Sequence, residues 1–291
     1  LLNPNPRKIM ALRLGVDLGG TKIEVAVYDD DGRELVRRRA PTPRAGYDAA
    51  LAEFAQLIVE AEKEASGRCS VGIGMPGTIA PRSGRVVNAY NTPFNGRRLK
   101  HDLEEKLDRE LRFANDANCF ALSEAIDGAA RGAAVVFGAI LGTGAGGGIV
   151  VEGRVLNGLH GISGEWGHTP LPWMRADEYP GPPCNCGRRG CIEQFVSGPA
   201  LALEKSAHGE ENALAIYVDR LARAFSLVIN FLDPDVIVVG GGVSKESRIY
   251  ASVPELLPRY VYSQSVETPL VPAAHGDASG VRGAAMLWPR Q

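Results

Sequence analysis

Asp17-Leu18-Gly19-Gly20-Thr21-Lys22 separates two apolar runs, Leu12 to Val16 before it and Ile23 to Tyr28 after it. A β-rich run, a glycine turn and a second β-rich run read as two strands of a hairpin, closed by a further turn at Asp29-Asp30-Asp31-Gly32. The turn also has the composition of an anion cradle built from backbone. Glycines let main-chain N–H groups approach an anion without a Cβ in the way, Thr21 adds a hydroxyl donor and Lys22 a positive charge. No Gly-Lys-Ser/Thr closes the loop, so it is not a Walker A turn, and a strand rather than a helix comes next, so it is not a dinucleotide fingerprint. A plain hairpin turn has the same composition, and the stretch by itself leaves both readings open.

Working outward, the same pattern returns. Val135 to Leu141 reads as a strand, Gly142 to Gly148 as a glycine-rich turn and Ile149 to Val151 as the returning strand. Between the two hairpins, Ala49 to Ala65 is an amphipathic helix and Val71 to Met75 a buried strand ending at Pro76-Gly77. Leu99 to Leu107 is a charged helix, Leu111 to Phe113 a strand and Ala117 to Ile126 a helix. Later, Ala213 to Leu232 is helical, Val236 to Val239 is a buried strand that runs into Gly240-Gly241-Gly242, and Gly283 to Trp288 is a short helix. The expectation is two α/β domains of related topology facing one cleft, residues 11–117 and 118–280, with a helix at about 281–291 packing back on the first. Three glycine clusters at strand ends suit a nucleotide spread across such a cleft, with adenosine against the bare backbone of the third, which opens a helix.

Two further groups of residues carry chemistry. Asn115-Asp116 falls where a strand ends and a helix begins. Both residues are favoured helix caps, and Asp116 is also placed to accept a proton from a substrate hydroxyl while Asn115 holds a neighbouring one. His168, Cys184, Cys186 and Cys191 form H-x15-C-x-C-x4-C. Three thiolates and one imidazole make a closed tetrahedral zinc set, hence a structural Zn²⁺. Gly187 and Gly190 permit the turn between ligands. Glu165 and Glu193 flank the ligands and would be fixed with the loop as hydroxyl acceptors. Cys69 and Cys119 remain as buried thiols.

Bulk properties agree with a soluble small-molecule enzyme. Formal net charge is −2 over 291 residues, with no long Lys/Arg run, which argues against nucleic acid or anionic membrane as a partner. No apolar stretch is long enough for a spanning helix. Leu1 to Met10 is polar and lacks the apolar core of a signal peptide. Clustered rather than dispersed cysteines point to a reducing, cytoplasmic setting.

D-L-G-G-T-K at 17–22, G-I-G-M-P-G at 72–77, N-D-A-N at 115–118 and L-G-T-G-A-G-G-G at 141–148 resemble the ROK family of sugar kinases. So do G-E-W-G-H at 164–168 and C-N-C-G-R-R-G-C-I-E at 184–193. The resemblance covers Leu12 to Pro289. It implies the actin-like, hexokinase-like (ribonuclease H-like) α/β fold, duplicated over two domains with an interdomain cleft, Mg²⁺ and ATP as cofactors, and a homodimer. Asp116 would be the base, and Asn91, Asn115, Glu165, His168 and Glu193 would join it in lining the sugar site. Asp17, Gly19, Gly20, Thr21 and Lys22, with Gly142, Thr143, Gly144, Gly146, Gly241 and Gly242, would hold ATP, and Asp17 also Mg²⁺. Within the family, N-A-Y-N-T at 88–92, G-E-W-G-H-T-P-L-P-W-M at 164–174 and A-A-H-G-D-A-S-G-V-R-G-A-A at 273–285 look most like fructokinases of the manno(fructo)kinase type. The expected reaction is therefore transfer of the γ-phosphate to the 6-hydroxyl of fructose, with glucokinase, mannokinase and N-acetylglucosamine kinase as rivals. Family members that are transcriptional repressors carry an added DNA-reading domain, and about ten residues before the first strand are too few for one. A sugar sensor without catalysis is disfavoured by the intact Asp116 and glycine turns. The stretch 208–221 lacks a helix that relatives carry, which bears on oligomer contacts.

Overall fold

The computed structural model describes residues 12–43, 46–89 and 92–289. The chain divides into two compact units. One runs up to Asp116 and resumes at Val281; the other is Ala117–Gly280.

The first unit is built on β1 (Leu12–Leu18), β2 (Lys22–Tyr28) and β3 (Glu34–Pro41), followed by α1 (Tyr47–Glu64) and β4 (Cys69–Met75). A two-stranded hairpin, β5 (Thr78–Ile79) and β6 (Val86–Val87), then α2 (Leu99–Leu107) and β7 (Arg112–Asn115) complete it. The sheet order is β3-β2-β1-β4-β7. β1, β2 and β3 pair antiparallel, while β4 and β7 run parallel to β1. Leu14, Val16, Ile23, Val25, Val71 and Ile73 share one buried face of the sheet, while Gly15, Ala26 and Gly72 are buried on the other. Phe54 and Ile58 of α1 close the same core with Leu103 of α2.

β3 is absent from the sequence reading because Arg37-Arg38-Arg39 sits in its middle. It is an edge strand, where arginines are tolerated and discourage further pairing, and carboxylates on both faces take them. Arg38 meets Glu60 and Glu64 of α1, while Arg37 and Arg39 meet Glu24 of β2.

The segment after Val281 belongs to this unit through α8 (Ser279–Ala285), which begins before the expected 283–288. Its backbone lies against β1 and β4 so closely that a Cβ on Gly15 would stand 1.9 Å from the Val281 carbonyl oxygen. Beyond the helix, Trp288 Nε1 donates to the Val71 carbonyl at 2.7 Å, with the Arg112 guanidinium 4.1 Å over its ring.

The second unit repeats the plan. α3 (Asp116–Ile126) leads into β8 (Val135–Leu141), β9 (Ala145–Val151) and β10 (Arg154–Val155). Then come α4 (Glu193–Val196), α5 (Gly198–His208), α6 (Glu210–Leu232), β11 (Val236–Gly240), α7 (Arg248–Leu256) and β12 (Leu270–Pro272). The order β10-β9-β8-β11-β12 has the same antiparallel and parallel senses as the first sheet. α6 buries Tyr217, Leu221 and Phe225 in its core.

The glycine run expected to be a turn through Gly148 turns only to Gly144; the rest is strand β9. Its glycines serve packing, since a Cβ on Gly148 would lie 2.3 Å from the Ala117 carbonyl oxygen of α3. At 208–221 the chain passes from α5 to α6 through Gly209 alone, at φ +74°. Among the described residues, no helix is long and apolar enough to cross a membrane.

Candidate functional site

The β1–β2 turn holds the first candidate group. The Gly19 N–H donates to the Lys22 carbonyl at 2.8 Å, closing the turn. Thr42, just past β3 and 5% exposed, holds it from outside. The Thr42 N–H donates to the Thr21 carbonyl at 2.9 Å and its hydroxyl to the Gly19 carbonyl at 2.7 Å. The sequence reading missed Thr42; its only local signal is its place between Pro41 and Pro43. Asp17 stands directly across the ladder from Glu24. Burial and the Glu24 charge raise the Asp17 carboxyl above the ordinary aspartate range, and Lys22 partly offsets them. Glu24, also missed, is 2% exposed, and besides Arg37 and Arg39 it takes Lys22 at 3.6 Å. Burial pushes its carboxyl up, but the two arginines outweigh that and hold it below the usual range.

Asn115 ends β7, and Asp116 opens α3, half-buried. The Asn115 amide donates to the Gly77 carbonyl at 3.1 Å, which orients the residue preceding the candidate base. Gly77 holds φ +69°, a conformation that favours glycine. Asn91 lies outside the described residues.

In the second unit the β8–β9 turn is closed by the Gly142 N–H donating to the Gly144 carbonyl at 3.0 Å. Its external holders come from the segment after the cysteines. The Gly198 N–H donates to the Gly142 carbonyl at 2.7 Å, and Glu193 Oε2 accepts from the Ala145 N–H at 3.1 Å. The third glycine cluster approaches the same turn. Gly241 holds φ +81° against the Leu141 carbonyl, and a single 3-10 turn, Gly242–Lys245, stands where a longer helix was expected. Gly142, Thr143, Gly198, Pro199, Gly242 and Lys245 line a cavity of about 660 Å³ there, a size that suits a small ligand. Gly146 is elsewhere: it lies in β9, and its carbonyl accepts from Trp166 Nε1 at 2.9 Å.

The four candidate metal ligands come together. One atom each from His168, Cys184, Cys186 and Cys191 lies within 4.8 Å of the others. Cys184 Sγ is 3.5 Å from His168 Nδ1 and Cys186 Sγ 3.6 Å from Cys191 Sγ. Tetrahedral zinc–thiolate coordination has ligand–ligand edges of roughly 3.8 Å, from bonds of about 2.3 Å, so this donor set fits Zn²⁺. A short hairpin supplies the spacing: the Cys184 N–H donates to the Arg188 carbonyl at 2.8 Å, and Gly187 and Gly190 hold φ +84° and +71°.

Glu165 and Glu193 stand beside this cluster. Part of the Glu165 side chain reaches solvent, yet the protein around it raises its carboxyl above the usual range; Glu193 adds to that and His168 opposes it. Behind the loop, Glu178 is 4% exposed and accepts from Arg223 at 2.7 Å and Arg220 at 2.9 Å, tying the segment before the cysteines to α6. The remaining cysteines, Cys69 and Cys119, are buried.

A ROK family model matches residues 13–291. An N-acetyl-D-glucosamine kinase of Pectobacterium atrosepticum is 40% identical over 296 aligned positions, 94% of this chain and 97% of that protein. The crystal structure of a ROK hexokinase from Thermus thermophilus superposes with a TM-score of 0.82 at 31% identity, covering 95% of this chain and 97% of that one. A ROK family glucokinase from Streptomyces griseus, solved in complex with glucose and AMPPNP, gives 0.74 at 26% identity, covering 97% and 100%.

These relatives overturn the expectation of fructose as substrate, because the full-length match is to a kinase of a different sugar. Several residues of the motifs behind that expectation pack in the cores. Trp166 of G-E-W-G-H is 5% exposed, stacked on Phe225 and edge-on to Phe137. Ala284 and Ala285 of the last motif are buried in the first unit. Residues that hold the framework carry no reading of which hydroxyls or acyl groups are recognised.

Proposed function

The chain belongs to the ROK family, and from that premise we propose that it transfers the γ-phosphate of ATP to the 6-hydroxyl of N-acetyl-D-glucosamine. That it is a sugar kinase rests on the family match and the kinases it resembles over nearly its whole length. The observation that supports the particular sugar is the 40% identity, over 94% of this chain, to an N-acetyl-D-glucosamine kinase.

Phosphoryl transfer needs positioning and charge stabilisation more than covalent chemistry from the protein. In the first unit Gly19, Gly20, Thr21 and Lys22 hold phosphate oxygens; in the second, Gly142, Thr143 and Gly144 are nucleotide contacts. Adenosine occupies the cavity lined by Gly142 and Gly242, with Gly241 packed against the Leu141 carbonyl beside them. Asp17 would hold Mg²⁺, which would supply neutralisation of phosphate charge. Asp116 accepts the proton of the attacking hydroxyl, a task open to an ordinary carboxylate because little proton removal is needed early. Asn115, Glu165, Glu193 and His168 orient the sugar. His168, Cys184, Cys186 and Cys191 would hold Zn²⁺ as a full set of four ligands, which would fix the loop that carries the two glutamates.

The test is Mg–ATP-dependent ADP release, with kcat/KM for N-acetylglucosamine, glucose, mannose and fructose. A preference of ~10-fold or more for the N-acetylated sugar is expected where a site pairs with the amide, and Asp116→Asn should lower kcat by ~10²–10⁴-fold without loss of fold. Preference for an unacetylated hexose would overturn the sugar assignment, and undiminished turnover by the Asp116 variant would remove it as base.

A further inference from the structure

The β1–β2 turn is a cradle whose polarity is set from outside. Three of its carbonyl oxygens are occupied: Lys22 by the Gly19 N–H, and Thr21 and Gly19 by the backbone and side chain of Thr42. The Gly20 and Thr21 N–H groups, by contrast, donate to no acceptor among the described residues. The effect is to withdraw acceptors from the turn and leave donors open, which is what an anion requires and what an ordinary hairpin turn has no need of.

Thr42 is suited to this. Register pairs Lys22 with Pro41, so Thr42 is the first residue past the ladder, and its N–H extends the pairing by one bond. Pro43 confines Thr42 to extended backbone and Pro41 fixes its own φ, so both donors are pre-aimed. The side chain is 5% exposed, so loss of its hydroxyl would leave the Gly19 carbonyl without that partner.

We infer that Thr42 is a positioning residue for the phosphate tail of a nucleoside di- or triphosphate: it holds two carbonyls of the turn inward so that the Gly20 and Thr21 amides face phosphate oxygens. The inference rests on the kinase reading above and extends it to a residue that touches no substrate.

The experiment uses the full chain with Thr42→Val, which keeps shape and removes the hydroxyl, and Thr42→Ser, which keeps it. ADP affinity by calorimetry and KM for Mg–ATP are measured beside KM for the sugar and the melting temperature. Thr42→Val should weaken ADP binding and raise KM for Mg–ATP by roughly 10-fold, the scale of one lost buried hydrogen bond, with the sugar KM unchanged; Thr42→Ser should return to near wild type. A Thr42→Val variant that melts lower yet binds ADP as wild type does would show a structural role only and overturn the inference. Equal losses for both ligands, or no rescue by serine, would also overturn it. A wild-type chain that binds no adenine nucleotide would instead sink the kinase reading, and this inference with it.

Discussion

The two glycine turns occupy the same place in sheets of the same topology, yet they are held by different means. The β1–β2 turn is braced from within its own sheet, by the residue just past β3. The β8–β9 turn is braced by Glu193 and Gly198, two and seven positions beyond the last cysteine ligand. The first brace rests on strand pairing and two prolines, which are in place whenever the sheet is. The second rests on a loop with little regular structure, whose order depends on the donor cluster His168, Cys184, Cys186, Cys191 and on the Glu178 tie to α6. One turn is as stable as its sheet. The other is as stable as an appended loop, and on the zinc reading is expected to respond to metal as well as to acid.

That contrast can be broken most sharply by removing the metal ligands. Apparent binding free energies of structural zinc sites are of order 10 kcal/mol or more, so Cys186→Ser should abolish metal stoichiometry and open residues 161–196 to proteolysis. Amide exchange should accelerate at Ala145 and Gly198 while Gly19 and Thr42 keep wild-type protection. Equal protection of both turns in verified metal-free protein would end the distinction. A smaller effect is expected from acid. Burial pushes the Glu178 carboxyl up, but Arg223, the Arg175 amide and Arg220 outweigh it and bring it to about 2. Because the folded value lies below the unfolded one, the stabilisation is complete above about pH 5 and is lost as pH falls toward about 2, a total of roughly 3 kcal/mol. Glu178→Gln should flatten that part of the stability–pH curve; an unchanged acid limb would mean that the pair contributes nothing. The smallest effect is expected for Glu193→Gln, which weakens the acceptor of the Ala145 N–H by about 1–2 kcal/mol and should speed exchange at Ala145 alone. Parallel change at Gly19 would show that the two turns are not independently held.

Legibility in the sequence divides along similar lines. Buried parallel strands such as Val71–Met75 and Val236–Val239, and long amphipathic helices, are local patterns and were readable. So was the clustering of His168, Cys184, Cys186 and Cys191, whose close spacing in the sequence is matched by their ligand atoms lying within 4.8 Å of one another. Edge strand β3 was not, because its arginines look polar until Glu24, Glu60 and Glu64 are brought beside them. The extent of the second turn was misread because glycine signals both a turn and a close approach, and only the path of α3 over Gly148 separates the two. Thr42 was invisible for a related reason: its partner, Gly19, is distant in sequence. The sugar was misread in part because Trp166, stacked on Phe225, packs the core and says nothing of the sugar.

The return of the chain to the first unit at Val281 has a consequence for synthesis. Residues Ala117–Gly280 are contiguous and can close on themselves as they leave the ribosome, whereas the β1–β4 surface at Gly15 and Gly72 packs closely against the segment from Val281 onward. Domains generally complete as units, the N-terminal one first. Here the first unit to be translated is the last to be finished, because the small-residue sheet face around Gly15 and Gly72 gains α8 only once the segment from Val281 has been made.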